Sequence, residues 1–242
     1  MDRPSKWVVL IGIDFYARGT ARPGMEVPSL QGCVEDVTLV ESFLRSNFNV
    51  NDSNLFKLTA TPPADGSLNV PTESPRKRPT YENMIETFLT VTQQAESGDS
   101  VYIHYSGHGG RAQTIFAHLK QSRGTHLDEV LVPYDINSTG GRYLRDVEIA
   151  ALFRGMVDKG LILAVVIDAC HSAGATRNSS AATNVRGLPR ADLNVLASDQ
   201  CALPPDQLAF PSSLSPIENF RNAKRKNSWL IEPRGYTLLA AG

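Results

Sequence analysis

Along the chain, unbroken apolar stretches alternate with stretches whose apolar positions recur every three or four residues. Lys6 to Ile13 (KWVVLIGI) is nearly all apolar, as a strand covered on both faces of a parallel sheet must be. From Gly32 onward, Cys33, Val37, Val40, Leu44 and Phe48 fall at helical spacing, and Asn54 to Thr59 reads as a second strand. Thr61 to Pro79 holds five prolines, a short basic run and no periodicity, so it reads as an exposed loop. Thr80 can cap a helix running to the neighbourhood of Glu96, which Gly98-Asp99 stops. Ser100 to Tyr105 is strand-like and runs straight into a glycine-rich turn, Ser106 to Gly110. Glu129 to Pro133 is a further strand, Arg145 to Lys159 a helix, and Leu161 to Ile167 (LILAVVI) the most apolar run of all. Tyr236 to Ala241 reads as one more buried strand.

Strands alternating with helices predict one α/β domain, with a central, mostly parallel sheet flanked by helices on both faces. Within it, residues 1–172 would form the larger part and 230–242 the start of a smaller one. Residues 173–229 between them are rich in Ser, Pro, Asn and Arg and too long for an ordinary connection, which marks a linker or processing loop. In sheets of this kind, sites gather beyond the carboxyl ends of the strands. Two of the predicted strands end abruptly in reactive groups: one at Ser106-Gly107-His108-Gly109-Gly110, the other at Asp168-Ala169-Cys170-His171-Ser172.

Composition changes this picture little. A net charge of −1 offers no global field to gather nucleic acid or anionic lipid, so neither is an expected partner. The apolar run Trp7 to Ile13 is too short for a signal sequence or a membrane span, and a cytoplasmic location is expected. Cys33, Cys170 and Cys201 are too few and too scattered for a disulfide framework, and free thiols fit a reducing compartment.

A thiolate attacks amide carbonyls well, but a free cysteine is only partly ionised at neutral pH and needs an imidazole to take its proton. His108 and Cys170 can supply that pair if their two strands are neighbours. The backbone N–H groups of Gly109 and Cys170 are the natural donors to the oxyanion formed by attack. A cysteine closing an apolar strand is more often a packing residue. His104 and His108 have the H-x-x-x-H spacing of zinc ligands, but on a strand they would lie roughly 13 Å apart, which excludes one shared ion.

Tyr105 to Gly110 (YSGHGG) and Asp168 to Ser172 (DACHS) resemble the histidine and cysteine boxes of metacaspases, in the caspase-like clan of cysteine peptidases. Val9 to Tyr16, Leu30 to Val37, Asp128 to Asp135 and Gly235 to Ala241 are similar to further segments of that family, in the same order. The resemblance implies a caspase-like fold, an endopeptidase with a Cys170 and His108 dyad, and a role in regulated proteolysis such as programmed cell death. The Gln-Ala-Cys caspase signature is not matched, for Asp168 stands where its Gln would. In metacaspases, the equivalents of Asp168 and Asp36 form an acidic S1 pocket, and two carboxylates hold a guanidinium well while repelling a substrate Asp. The expected substrates are therefore proteins or peptides with Arg or Lys at P1, cut by a monomer.

No organic cofactor is implied. Many metacaspases respond to calcium held by a set of acidic residues, and the candidates here are Asp128, Glu129, Asp146 and Glu148. Arg145 interrupts the acidic pair expected before Asp146, so calcium is at most an activator. The basic run Arg221 to Lys226, Arg186 and Arg190 are candidate self-cleavage sites. The competing reading is an inactive caspase-like scaffold module within a larger signalling protein.

Overall fold

The computed structural model describes residues 4–25, 27–64, 66, 70–120, 126–169, 186–188, 190–204, 208 and 236–240. Cys170, the basic run from Arg221 to Lys226 and most of the 173–229 linker lie outside the described residues.

The strands form where the apolar runs predict them: β1 (Lys6–Ile13), β2 (Leu55–Ala60), β3 (Ser100–Ser106), β7 (Ile162–Asp168) and β8 (Tyr236–Ala240). Together they make a parallel sheet in the order β2-β1-β3-β7-β8. One face carries Val9, Ile11, Ile13, Ile103, Tyr105, Val165 and Ile167 into the main core. Helices α2 (Tyr81–Gln94) and α4 (Asp146–Asp158) cover that face with Met84, Phe88, Val147 and Met156. On the opposite face, Val8 and Leu10 meet Val37 and Leu44 of α1 (Cys33–Phe48). The result is the α/β, caspase-like arrangement with helices on both faces.

Local chemistry fixes the helix starts. Thr80 accepts a hydrogen bond from the Asn83 N–H at 3.1 Å, as its position before the periodic stretch predicts. Helix α1 begins after Gly32, and its first amides are satisfied from a distance: Cys33 N–H and Val34 N–H donate to the Asp14 carboxylate at 2.8 and 3.2 Å. Asp14 lies just past β1, so this bond pins the start of α1 to the carboxyl edge of the sheet.

A second sheet, β4-β5-β6, is antiparallel and sits beyond that edge: β4 (Gly109–Gln113), β5 (Leu127–Leu131) and β6 (Leu144–Arg145). The glycine-rich segment after β3 reads as a turn from its sequence, yet from Gly109 it is a strand. Its conformation comes from pairing with β5, Gly109 opposite Leu131 and Ala112 opposite Asp128, rather than from its own propensity. A four-residue helix, α3 (Ala117–Lys120), leads out of it. No helix among the described residues is long and apolar enough to cross a membrane.

Gly12 is where sheet and α1 meet most closely. A Cβ there would lie 2.6 Å from the Val37 side chain and 2.8 Å from the Cys33 carbonyl oxygen. Gly12→Ala should therefore push α1 off the sheet and lower stability by about 1–3 kcal/mol, measured by urea unfolding at equilibrium.

Candidate active site

The carboxyl edge of the parallel sheet brings the reactive groups together. Strands β3 and β7 are hydrogen-bonded neighbours, with Ser106 in register with Asp168. Side chains alternate along a strand, so Ser106 and Asp168 project on the face that carries α1, and His108 follows two residues beyond β3. Cys170 comes two residues after the end of β7 in the chain and lies outside the described residues.

His108 is fully buried. Its Nε2 lies 2.8 Å from the Pro28 carbonyl oxygen. A carbonyl only accepts, so Nε2 carries the proton and Nδ1 keeps its lone pair when the ring is neutral. Nδ1 is buried and makes no hydrogen bond among the described residues, so it is free to receive a proton. The ring packs on Tyr16 with centroids 4.8 Å apart, and the Tyr16 hydroxyl accepts from the His108 backbone N–H at 2.7 Å. The Tyr105 hydroxyl donates to the His108 carbonyl, also at 2.7 Å. Burial pushes the imidazole pKa down to about 4, and the bond to the Pro28 carbonyl opposes that only in part.

The two acidic residues expected in S1 do converge, and they hold a cation from the chain itself. Arg186 is ion-paired to Asp168, and its other terminal nitrogen lies 2.6 Å from Asp36 Oδ2. Ser106 completes the set: its Oγ accepts from Arg186 at 2.9 Å and donates to Asp36 at 3.2 Å. The main chain of Arg186 is placed as consistently as its side chain. Its carbonyl oxygen accepts from the Gly109 N–H at 3.0 Å, and the Leu188 N–H donates to the Gly109 carbonyl at 2.9 Å. Further along, Gln113 N–H donates to Asp192 O and Asp192 N–H to Arg111 O, at 2.7 and 2.8 Å. The segment from Arg186 to Asp192 thus runs parallel to β4 and is bonded to it at both ends.

Asp192 anchors this segment through a buried ion pair with Arg22 at 2.9 Å, and Arg22 is also paired with Asp199. The Arg22 guanidinium stacks over the Tyr143 ring, 4.4 Å from its centroid. Leu188 is buried against Gly110, where any Cβ would fall 2.8 Å from the leucine side chain.

The other two thiols are poor nucleophiles. Burial raises Cys33 to about 12, and burial followed by Glu148 does the same for Cys201. Both stay protonated at neutral pH. His104, two residues before Ser106 and so on the same face, bonds Tyr102 through Nδ1 at 3.2 Å.

Sequence reasoning places His108, Gly109, Asp36 and Asp168 at one site, and the structure brings all four together. It assigns no role to Ser106, Tyr16 or Pro28. Ser106 was legible within the YSGHGG box, whereas Pro28 acts through a backbone carbonyl, which no residue type signals.

Residues 6–177 match the family model described as Metacaspase, peptidase C14 domain. Metacaspase-6 and Metacaspase-4 of Arabidopsis thaliana are each 30% identical, over 170 and 173 residues; the matches cover 70% of this chain and 39% and 34% of theirs. Metacaspase-1A of Aspergillus oryzae is 28% identical over 167 residues, 69% of this chain and 34% of its own. The chain spans about a third of the length of these curated relatives. Among solved structures, protein GSU0716 of Geobacter sulfurreducens superposes with a TM-score of 0.47 at 20% identity, over 70% of this chain and 52% of that one.

A depressed pKa keeps the base form of His108 in place to lower pH than an ordinary imidazole. Nitrogen NMR of His108 should show the neutral, Nε2-protonated ring down to about pH 5, with protonation centred near pH 4. A midpoint at the ordinary value of about 6.5 would contradict the buried geometry.

Proposed function

Because the chain belongs to the metacaspase family, we propose that it is a cysteine endopeptidase that cuts proteins after Arg or Lys, with Cys170 as nucleophile and His108 as general base. The observation that carries the specificity is Arg186: a basic side chain lies between Asp36 and Asp168 while its carbonyl oxygen meets the Gly109 N–H. A substrate residue in the same pose would present its carbonyl to the chemistry.

The steps follow from these groups. His108 Nδ1 takes the Cys170 thiol proton, and the thiolate adds to the carbonyl carbon of the basic residue. The oxyanion is stabilised by the N–H groups of Gly109 and Cys170. The imidazolium, steadied by Pro28, then gives its proton to the departing amine as the C–N bond breaks, leaving a thioester. Water, deprotonated by the neutral His108, hydrolyses that thioester and frees the thiol.

The same pose makes Arg186-Gly187 the first bond within reach, so the protein is a zymogen whose own linker fills S1. Self-processing there, between the larger part and the smaller one, supports a role in regulated proteolysis such as programmed cell death. The free thiols Cys33 and Cys201 fit a cytoplasmic setting, in which the domain would act as a monomer.

Fluorogenic peptides ending in Arg, Lys or Asp test this reading. Wild type should hydrolyse the Arg and Lys peptides and not the Asp peptide, and Cys170→Ala should abolish turnover. Asp36→Asn and Asp168→Asn should each lower kcat/KM about 10- to 100-fold on Arg peptides. N-terminal sequencing of the processed chain should find Gly187, and Arg186→Gln should remove that cut while raising turnover of added peptide. Turnover that survives Cys170→Ala, or a preference for Asp, would overturn the proposal.

A further inference from the structure

Between the antiparallel sheet and α4 lies a buried group of carboxylates that the cysteine and histidine chemistry does not use. Asp128 on β5 is fully buried and Asp146, in the first turn of α4, nearly so. Ionised carboxylates in such a place repel one another and must be matched by positive charge. The expectation from the family is calcium, on Asp128, Glu129, Asp146 and Glu148. The residues present do not fit that ion.

Calcium takes six to eight oxygen ligands. Here the Lys120 ammonium lies among the oxygens that would have to supply them: 2.8 Å from Asp128 Oδ1, 2.9 and 2.7 Å from the two Asp146 oxygens, and 3.1 Å from the Leu127 carbonyl. Lys120 is itself almost fully buried, so its charge cannot relax into solvent. The remaining Asp128 oxygen meets Arg145 at 2.7 Å, and Arg145 also donates to the Gln113 carbonyl at 2.9 Å. Glu148 is committed elsewhere, to the Tyr81 hydroxyl and to the Arg145 N–H at 3.0 Å. Among the described residues, no group of three or more His, Cys, Asp and Glu side chains is placed to hold a metal ion.

We propose that Lys120 and Arg145 are the protein's own cations at this place, and that the domain holds its oxyanion strand in position without calcium. The connection is direct. Asp128 pairs across the sheet with Ala112 of β4, Gln113 ends β4, and Gly109 at its start is the oxyanion donor of the reaction proposed above, on which this part of the reading rests. Arg145 also reaches Asp199 at 3.5 Å, and Asp199 shares Arg22 with Asp192, so one chain of alternating charges runs from Lys120 to the segment docked on β4. Fixed cations on the chain make this arrangement a permanent part of the fold rather than a switch.

Thermal unfolding of the full chain in millimolar calcium, magnesium or EGTA tests the idea independently of which peptides are cut. Wild type should unfold at the same temperature in all three. Lys120→Met should lower Tm by about 10 °C in EGTA, and calcium should restore part of that loss, a response wild type lacks. A wild-type Tm that rises by several degrees in calcium but not magnesium would overturn the proposal, as would a Lys120→Met protein as stable as wild type. Equilibrium dialysis of wild type keeps the test decisive if the variant does not fold: no saturable calcium uptake supports the proposal, and one ion per chain, lost in Asp128→Asn, refutes it.

Discussion

Two carboxylates held in one cleft, Asp36 and Asp168, impose the constraint around which the site is built. Each comes from a different element, one from the first turn of α1 and one from the last residue of β7. Their convergence requires the parallel register of β3 with β7, the close seat of α1 on Gly12, and the capping of α1 by Asp14. A cation between two like charges so placed relieves their repulsion. Arg186 supplies one, and in the proposed reaction a substrate Arg or Lys takes its place.

The same electrostatic logic recurs deeper in the molecule. Arg22, Lys120 and Arg145 are buried and matched to Asp128, Asp146, Asp192 and Asp199. Breaking a buried pair by removing one partner typically costs about 3–5 kcal/mol, so each such charge fixes its neighbours firmly. These pairs hold the second sheet and the segment that runs along β4. The pocket itself is more open, with Asp36 and Asp168 partly exposed.

Much of this was legible in the chain because it rests on patterns with a period. The apolar runs gave the central strands to within a residue or two, and the spacing of Cys33, Val37 and Leu44 gave the face of α1. His108, Gly109, Asp36 and Asp168 were readable because each lies at the end of a predicted element. What sequence could not show was pairing between distant segments. Strand β4 is glycine-rich and becomes a strand only against β5, and β5 itself starts two residues before the expected Glu129. Arg186 looked like one of several accessible basic residues; only the fold singles it out. Lys120 carried no signal, because a lysine beside a polar stretch is ordinarily solvated, and its burial depends on Asp128 and Asp146 arriving from other elements.

The central claim is that the carboxylate pair recognises a guanidinium, and a double-mutant cycle tests it most directly. In a Cys170→Ala background, which removes self-cleavage, urea unfolding would be measured for Asp168→Asn, Arg186→Gln and the double variant. The account predicts a coupling energy of about 1–2 kcal/mol, above the few tenths typical of an open surface pair. Strictly additive losses would mean that Arg186 is not read by Asp168, and would contradict the account.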